Sequence, residues 1–458
     1  MQNVSSDLLK DVKKIHFIGI GGSGMFPLVQ ILYKKGYIIT GSDNNESDIV
    51  KMERGLGIDV IMDQKAENIK NSDLIVYTSA ILNDNSELIA AKQSGIKTIE
   101  RNDLLGYITS KYSDCICISG THGKTTTTSI LTQILLDADM DISAIIGGKL
   151  KSIDGYAKIG NSSILVCEAC EYEDHFLKLY PDITVILNID NDHMDYFKSM
   201  ENLKRSFKTF CKSTRKTIIY NGDDANTTDV VLGIDKKRIS FGFSSKNDYY
   251  PENINKISGL KTTFSLCKKG KIICENINLL VPGEHNILNA VAALATAIEV
   301  GIPFEKLKYG LENFKGSGRR FEFIGEVDGV TVVDDYGHHP TEIEATLKAA
   351  KNCGFEKVWV VHQPFTYSRT KMLMDEFARV LSIADRVILT EIMGSREKNT
   401  LNVYSRDLAE RIPGCKWFKT QKEAASYVLK NAKPGDLVIT LGCGDIYKAA
   451  KMMVFDKY

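Results

Sequence analysis

Nowhere in the 458 residues do about 18 consecutive apolar side chains occur, and the first 14 residues contain no apolar core of the kind a leader carries. These two absences argue against a membrane span and against secretion, so a cytoplasmic protein is the expectation. Net charge is missing as well: 58 Lys plus Arg balance 58 Asp plus Glu, and no bulk field draws the chain to nucleic acid or to an anionic membrane. An anionic ligand must therefore be held by local sites. Ten cysteines show no repeated pair spacing, in a chain far longer than the small scaffolds that need disulfides, so free thiols are expected. The one Cys-x-x-Cys, Cys167 to Cys170, lacks the second pair that a zinc site would require. There is no internal repeat and no low-complexity tract.

What is present is an ordinary globular composition, 43% hydrophobic and 25% charged, over a length that at roughly 150 residues per domain predicts about three domains. Lys14 to Ile20 reads as a strand, Gly21 to Gly24 as a turn, and Tyr37 to Gly41 as the next strand after a helix. A further strand covers Leu74 to Tyr77, and the first boundary falls near residue 112. A second strand, turn and helix follow at once: Cys115 to Ser119, Gly120 to Lys124, and Thr125 to Ala138. Buried-type strands at Ile164 to Cys167 and Ile183 to Ile189 make a parallel sheet the economical reading. A Lys-Lys-Gly-Lys turn at 268–271 suggests a hairpin before an Ala-rich helix at Asn289 to Val300, and this part ends near Lys315. The rest alternates again, with strands at Val330 to Val333, Val358 to Val361, Val387 to Thr390 and Leu437 to Leu441, and helices from Thr341 and Thr370. The expected fold is α/β in three domains, 1–112, 113–315 and 316–458, the outer two doubly wound.

Two glycine turns carry the chemistry. In the first, Gly21, Gly22, Ser23 and Gly24 stand between strand and helix, where missing Cβ atoms let backbone amides approach a diphosphate; Asp43, 19 residues after Gly24, suits ribose hydroxyls. A nicotinamide cofactor stays open at this point. The second, Gly120-Thr121-His122-Gly123-Lys124-Thr125-Thr126, combines a phosphate-cradling loop, a lysine for the β- and γ-phosphates and a hydroxyl for Mg²⁺. Its earlier glycine is replaced by Ile118, so the loop is a shortened variant. Open α/β sheets bind ligands at strand carboxyl ends, which puts Glu168 and His193 beside this loop as candidate metal ligands against surface or strand-end alternatives. Asn286 and Asn289 share a helix face and could read an adenine edge, or simply cap the helix. Arg319-Arg320 and Asp334 to His339 are the remaining polar clusters.

On these motifs, together with the opening His16 to Met25, Asn191-Asp192-His193, Gly318 to Phe321 and Gln363 to Arg369, the chain resembles the Mur ligases of peptidoglycan synthesis over essentially its whole length. The resemblance implies a Rossmann-like N-terminal domain, a central P-loop ATPase domain and a Rossmann-like C-terminal domain that takes an amino acid. It implies ATP with Mg²⁺ or Mn²⁺, UDP-N-acetylmuramate and L-alanine as substrates, an acyl-phosphate intermediate, and a monomer or weak homodimer. By the same resemblance Gly21, Gly22, Ser23, Gly24, Ser42, Asp43 and Ser79 hold the UDP-sugar. Gly120 to Thr126 with His285, Asn286 and Asn289 hold ATP, while Thr125, Glu168 and His193 serve the metal. Lys124, Arg320, Asp335 and His338 are the catalytic candidates, and Tyr336 and Arg369 border the amino acid. Phe365 and Thr366 depart from the family, standing where many alanine-adding relatives have histidine and sometimes arginine, which leaves serine and glycine open beside alanine. The rival readings are another amide ligase of this superfamily, of muropeptide-recycling or folylpolyglutamate type, and a catalytically silent UDP-sugar sensor.

Overall fold

The computed structural model describes residues 8–256, 261–395 and 397–455. They divide into two compact units, one of residues up to 250 with 291–310, the other of the remainder.

The first unit opens with five parallel strands, β1 (Lys14–Ile18), β2 (Ile38–Ser42), β3 (Asp59–Ile61), β4 (Leu74–Tyr77) and β5 (Lys97–Glu100), in the order β3-β2-β1-β4-β5. The order reverses between β1 and β4, and there the carboxyl ends of the strands leave a crevice for a ligand. Helices α1 (Phe26–Lys34), α2 (Asp48–Gly55), α3 (Ser86–Gln93) and α4 (Arg101–Thr109) connect them. Six α1 positions are buried, Phe26 and Pro27 with the aliphatic Leu28, Val29, Ile31 and Leu32, so the helix is held by an apolar face rather than by a polar cap.

The same unit continues through β6 (Asp114–Ser119), β7 (Ser143–Leu150), β8 (Gly155–Lys158), β9 (Ile164–Glu168), β10 (Ile183–Ile186), β11 (Thr217–Asn221) and β12 (Lys237–Phe241), ordered β12-β11-β10-β6-β9-β7-β8. The sheet is mixed rather than wholly parallel. β8 runs antiparallel to β7 because only a short turn, with Asp154 at φ 42°, joins them, and parallel pairing needs a crossover of a dozen residues. β6 sits between β10 and β9, and from it rises α5 (Lys124–Asp137), whose first eleven residues after Lys124 are all buried.

β13 (Tyr249–Lys256) starts in the first unit, where Tyr249 pairs with Phe241. In the second unit β14 (Thr262–Lys268) and β15 (Lys271–Leu279) form the antiparallel hairpin that the lysine-glycine turn predicts, and a six-stranded sheet follows. Its strands are β16 (Glu322–Val327), β17 (Val330–Asp335), β18 (Val358–His362), β19 (Arg386–Leu389), β20 (Lys416–Trp417) and β21 (Leu437–Leu441), ordered β16-β17-β21-β18-β19-β20. All pair in parallel except β16 with β17. All ten cysteines are free thiols. No helix among the described residues is long and apolar enough to cross a membrane.

Candidate active site

The first glycine turn leaves β1 with Gly19 at φ +80°, a left-handed conformation that glycine adopts without a Cβ clash. A Cβ at Gly21 would stand 2.6 Å from Val50 Cγ2, so the turn presses on α2. Asp43 braces this turn from inside: its carboxylate accepts the Gly21 amide at 2.9 Å and the Asn45 amide at 2.9 Å. Ser42 is fully buried and donates its hydroxyl to Glu87 at 2.5 Å, while Glu87 also meets the His16 ring at 2.8 Å. Ser23 and Gly24 face solvent at the tip, and Ser79 lies half-buried after β4, across the order reversal from them.

The second turn is built on β6. Gly120 at φ +138° and Gly123 at φ +87° curl the chain so that α5 begins at Lys124. Asn188, just past β10, fastens the loop by accepting the His122 amide at 2.8 Å and donating to the His122 carbonyl at 3.0 Å. Lys124 Nζ donates to the carbonyls of Gly120 at 2.5 Å and Thr121 at 3.0 Å, and lies 2.9 Å from a carboxylate oxygen of Glu171. Burial alone would weaken the ammonium, but the Glu171 carboxylate reverses this and holds Lys124 well above the ordinary lysine range. Thr125 donates its hydroxyl to Glu168 at 3.1 Å, and the other Glu168 oxygen accepts the Gly147 amide at 2.9 Å. His193, at φ +57°, brings its Nε2 to 3.8 Å from Glu171 and its ring to 4.7 Å from Tyr172. Lys124, Thr125, Glu168 and His193 are therefore gathered at one edge of the sheet. Glu171 is 1% exposed and belongs with them; its signal was a second acidic residue three positions beyond Glu168, just past the end of the strand.

In the second unit, Arg319 and Arg320 part company. Arg319 is a staple, donating to Asp334 at 2.9 Å and to the carbonyls of Gly444 at 2.9 Å and Gly442 at 2.5 Å. Arg320 lays its guanidinium 4.9 Å from the Tyr336 ring centroid. Asp335 is buried and accepts the amides of Phe321 and Gly337, each at 2.8 Å; burial pushes its carboxyl up to about 6 against the pull of Arg320. The Nδ1 of His338 lies 3.2 Å from the Tyr336 carbonyl and 3.3 Å from Glu342. Since a carbonyl only accepts, Nδ1 carries the proton and Nε2 is the basic nitrogen. Arg369 is half-buried on the helix Tyr367–Met372. Thr366 caps that helix at φ +63° and, with Phe365, is pinned by backbone contact to Met393. Asn289 donates to Asn286 at 3.1 Å and Asn286 to the Pro282 carbonyl at 2.6 Å, and the His285 ring stands over Gly283.

Two phosphate-type turns, a lysine-threonine-glutamate set and an arginine-aspartate-histidine set define an ATP-using ligase class, and the comparisons give it a family. The Mur ligase family catalytic domain matches residues 14–113, the Mur ligase middle domain 118–297, and the glutamate ligase domain of Mur ligases 319–444. The chain belongs to the Mur ligase family. It is 43% identical over 452 residues to the UDP-N-acetylmuramate–L-alanine ligase of Acetivibrio thermocellus, covering 97% of this chain and 96% of that one. It is 44% identical to the like-named ligase of Lachnospira eligens, covering 95% and 97%. Among solved structures, the UDP-N-acetylmuramate-alanine ligase of Thermotoga maritima superposes with a TM-score of 0.84 at 26% identity, over 96% of this chain and 98% of that one. A murein peptide ligase from Psychrobacter arcticus shares the fold, with a TM-score of 0.75 at 22% identity over 96% and 98% of the two chains.

Proposed function

We propose that the chain is an ATP-dependent ligase that joins L-alanine to the lactyl carboxylate of UDP-N-acetylmuramate in peptidoglycan precursor synthesis. The observation that carries this reading is end-to-end identity above 40% with relatives of that name, on a chain that keeps Thr125 in contact with Glu168 and Lys124 with Glu171. Residues 1–112 take the UDP-sugar, 113–315 the ATP and 316–458 the amino acid. Serving the sugar are Gly21, Gly22, Ser23, Gly24 and Ser79, with Ser42 and Asp43 bracing the turn from below.

A carboxylate resists amide formation, so it is first made electrophilic. The γ-phosphoryl group passes to a lactyl carboxylate oxygen, ADP leaves, and an acyl phosphate remains. Lys124 is kept charged by Glu171, and when the triphosphate enters it exchanges loop carbonyls for phosphate oxygens and stabilises the charge that develops there. Thr125 and Glu168 offer hard oxygens 3.1 Å apart, a donor pair that fits Mg²⁺ or Mn²⁺, with His193 for a second ion. Such ions would neutralise phosphate charge when bound. The neutral amine of alanine then attacks the acyl carbon and phosphate departs. His338 Nε2 takes the ammonium proton, Asp335 fixes the Phe321 and Gly337 amides around it, and Arg320 stabilises negative charge at the tetrahedral centre. Arg369 pairs with the amino-acid carboxylate.

The test is phosphate release from ATP by the purified protein. Release should require UDP-N-acetylmuramate and an L-amino acid together, with alanine ahead of serine and glycine. Release that ignores the sugar nucleotide would sink the substrate assignment.

A further inference from the structure

Arg101 opens α4 directly after β5, and its guanidinium folds back over the first glycine turn. Nη1 donates to the Gly24 carbonyl at 3.4 Å, and a Cβ on Gly24 would meet the same nitrogen at 3.2 Å. Nη2 donates to the Asn102 side-chain carbonyl. Both acceptors are neutral.

The carboxylates nearby are committed elsewhere. Asp103 pairs with Lys178 at 2.7 Å, Glu100 accepts from Lys178 and Asn102 at 3.3 Å each, and Glu168 is held by Thr125 and Gly147. Among the described residues no carboxylate forms an ion pair with Arg101. Two costs follow. A cation in the first turn of a helix opposes the helix dipole. A guanidinium drawn out of water without an ion-pair partner is destabilised, and burial pulls Arg101 below the ordinary arginine range although Glu100 and Glu168 pull the other way. Turning outward would relieve both, yet the side chain lies against Gly24, in a turn, residues 21–24, with no charged side chain of its own.

We propose that Arg101 is a binding residue for the diphosphate of the UDP-sugar, supplying the positive charge that the glycine turn lacks. The inference rests on the ligase reading above. The ligand relieves both costs at once: it answers the helix dipole and pairs the guanidinium, whose fork matches two phosphate oxygens.

Calorimetric binding of UDP, UDP-N-acetylmuramate and a non-hydrolysable ATP analogue to wild type, Arg101→Gln and Arg101→Lys tests it. R101Q should weaken UDP and UDP-N-acetylmuramate alike by about 10- to 100-fold, the range of a charge-assisted phosphate contact, and R101K should recover part of the loss. ATP-analogue affinity should be unchanged, and the ligand-free melting temperature should not fall. Unchanged UDP affinity in R101Q overturns the proposal, as does a parallel loss of ATP-analogue affinity or of thermal stability. A loss seen with UDP-N-acetylmuramate but not with UDP overturns the diphosphate contact in favour of the lactyl carboxylate. Failure of the wild type itself to bind UDP-N-acetylmuramate would instead sink the ligase reading.

Discussion

Glu53 sits on α2 with no exposed surface, and neither of its carboxyl oxygens has a hydrogen-bond partner among the described residues. Burial, helped by the nearby negative charge of Asp43, pushes its carboxyl up to about 9. The folded chain therefore holds a proton there that the unfolded chain releases near 4.5. Stability from this group is complete below that value and is lost as pH rises towards 9. Glu53→Gln removes the titration, so the variant should gain on wild type by up to about 4 kcal/mol between pH 5 and pH 8, read as diverging melting temperatures. Parallel melting curves at the two pH values would show that Glu53 is solvated. Asp43 shows what spacing leaves out. Its distance from Gly24 suggests ribose hydroxyls, and its oxygens also hold the Gly21 and Asn45 amides, a contact that depends on how β2 returns beside β1.

At the scale of elements, what is local in the chain was legible and what depends on pairing was not. Strand, glycine turn and helix follow one another within about 25 residues at β1–α1 and β6–α5, so both turns could be placed from pattern alone. β16 carries Glu322, Gly325 and Glu326 on an edge that is only half-buried, so no apolar run marks it. Gly147 is the clearest loss. It lies on β7 where the register against β8 shifts between Ile145 and Leu150, and it reaches Glu168 only because β7 pairs with β9. A Cβ at Gly147 would stand 2.6 Å from both Glu168 oxygens, so the carboxylate must shift to admit it. Gly147→Ala should push Glu168 away from Thr125, lowering turnover about tenfold or more and raising the Mg²⁺ needed for half-maximal rate, with little change in melting temperature. Equal Mg²⁺ requirements in the two proteins would separate Gly147 from the Thr125–Glu168 pair proposed to hold the metal.

At the scale of the whole molecule, a balanced net charge leaves little general repulsion near neutrality, so acid sensitivity falls on individual buried bases. Each unit contains a histidine that its surroundings hold neutral. His175 in the first is pulled down to about 4 by burial and by Arg101 and Lys178. His362 in the second is pulled down to about 4 by burial, although its Nδ1 lies 3.0 Å from the Leu441 carbonyl. Both stay neutral when folded and would take a proton near 6.5 when unfolded. Their contribution is intact above that value and is lost as pH falls from 6.5 to 4, by up to about 3 kcal/mol for a fully buried imidazole. The two tryptophans of the chain, Trp359 and Trp417, both lie in the second unit, so their fluorescence follows that unit while far-ultraviolet dichroism follows both. His362→Gln should flatten the fall in stability between pH 6.5 and pH 4.5 when unfolding is followed by tryptophan fluorescence. His175→Gln should leave that signal's pH dependence alone and flatten the dichroism transition instead. The absolute stability of either variant is free to change, because a buried glutamine has its own hydrogen-bonding needs; the slope against pH is what isolates the imidazole. If both variants alter the tryptophan signal equally, the two units do not unfold separately, and the acid response belongs to one cooperative transition.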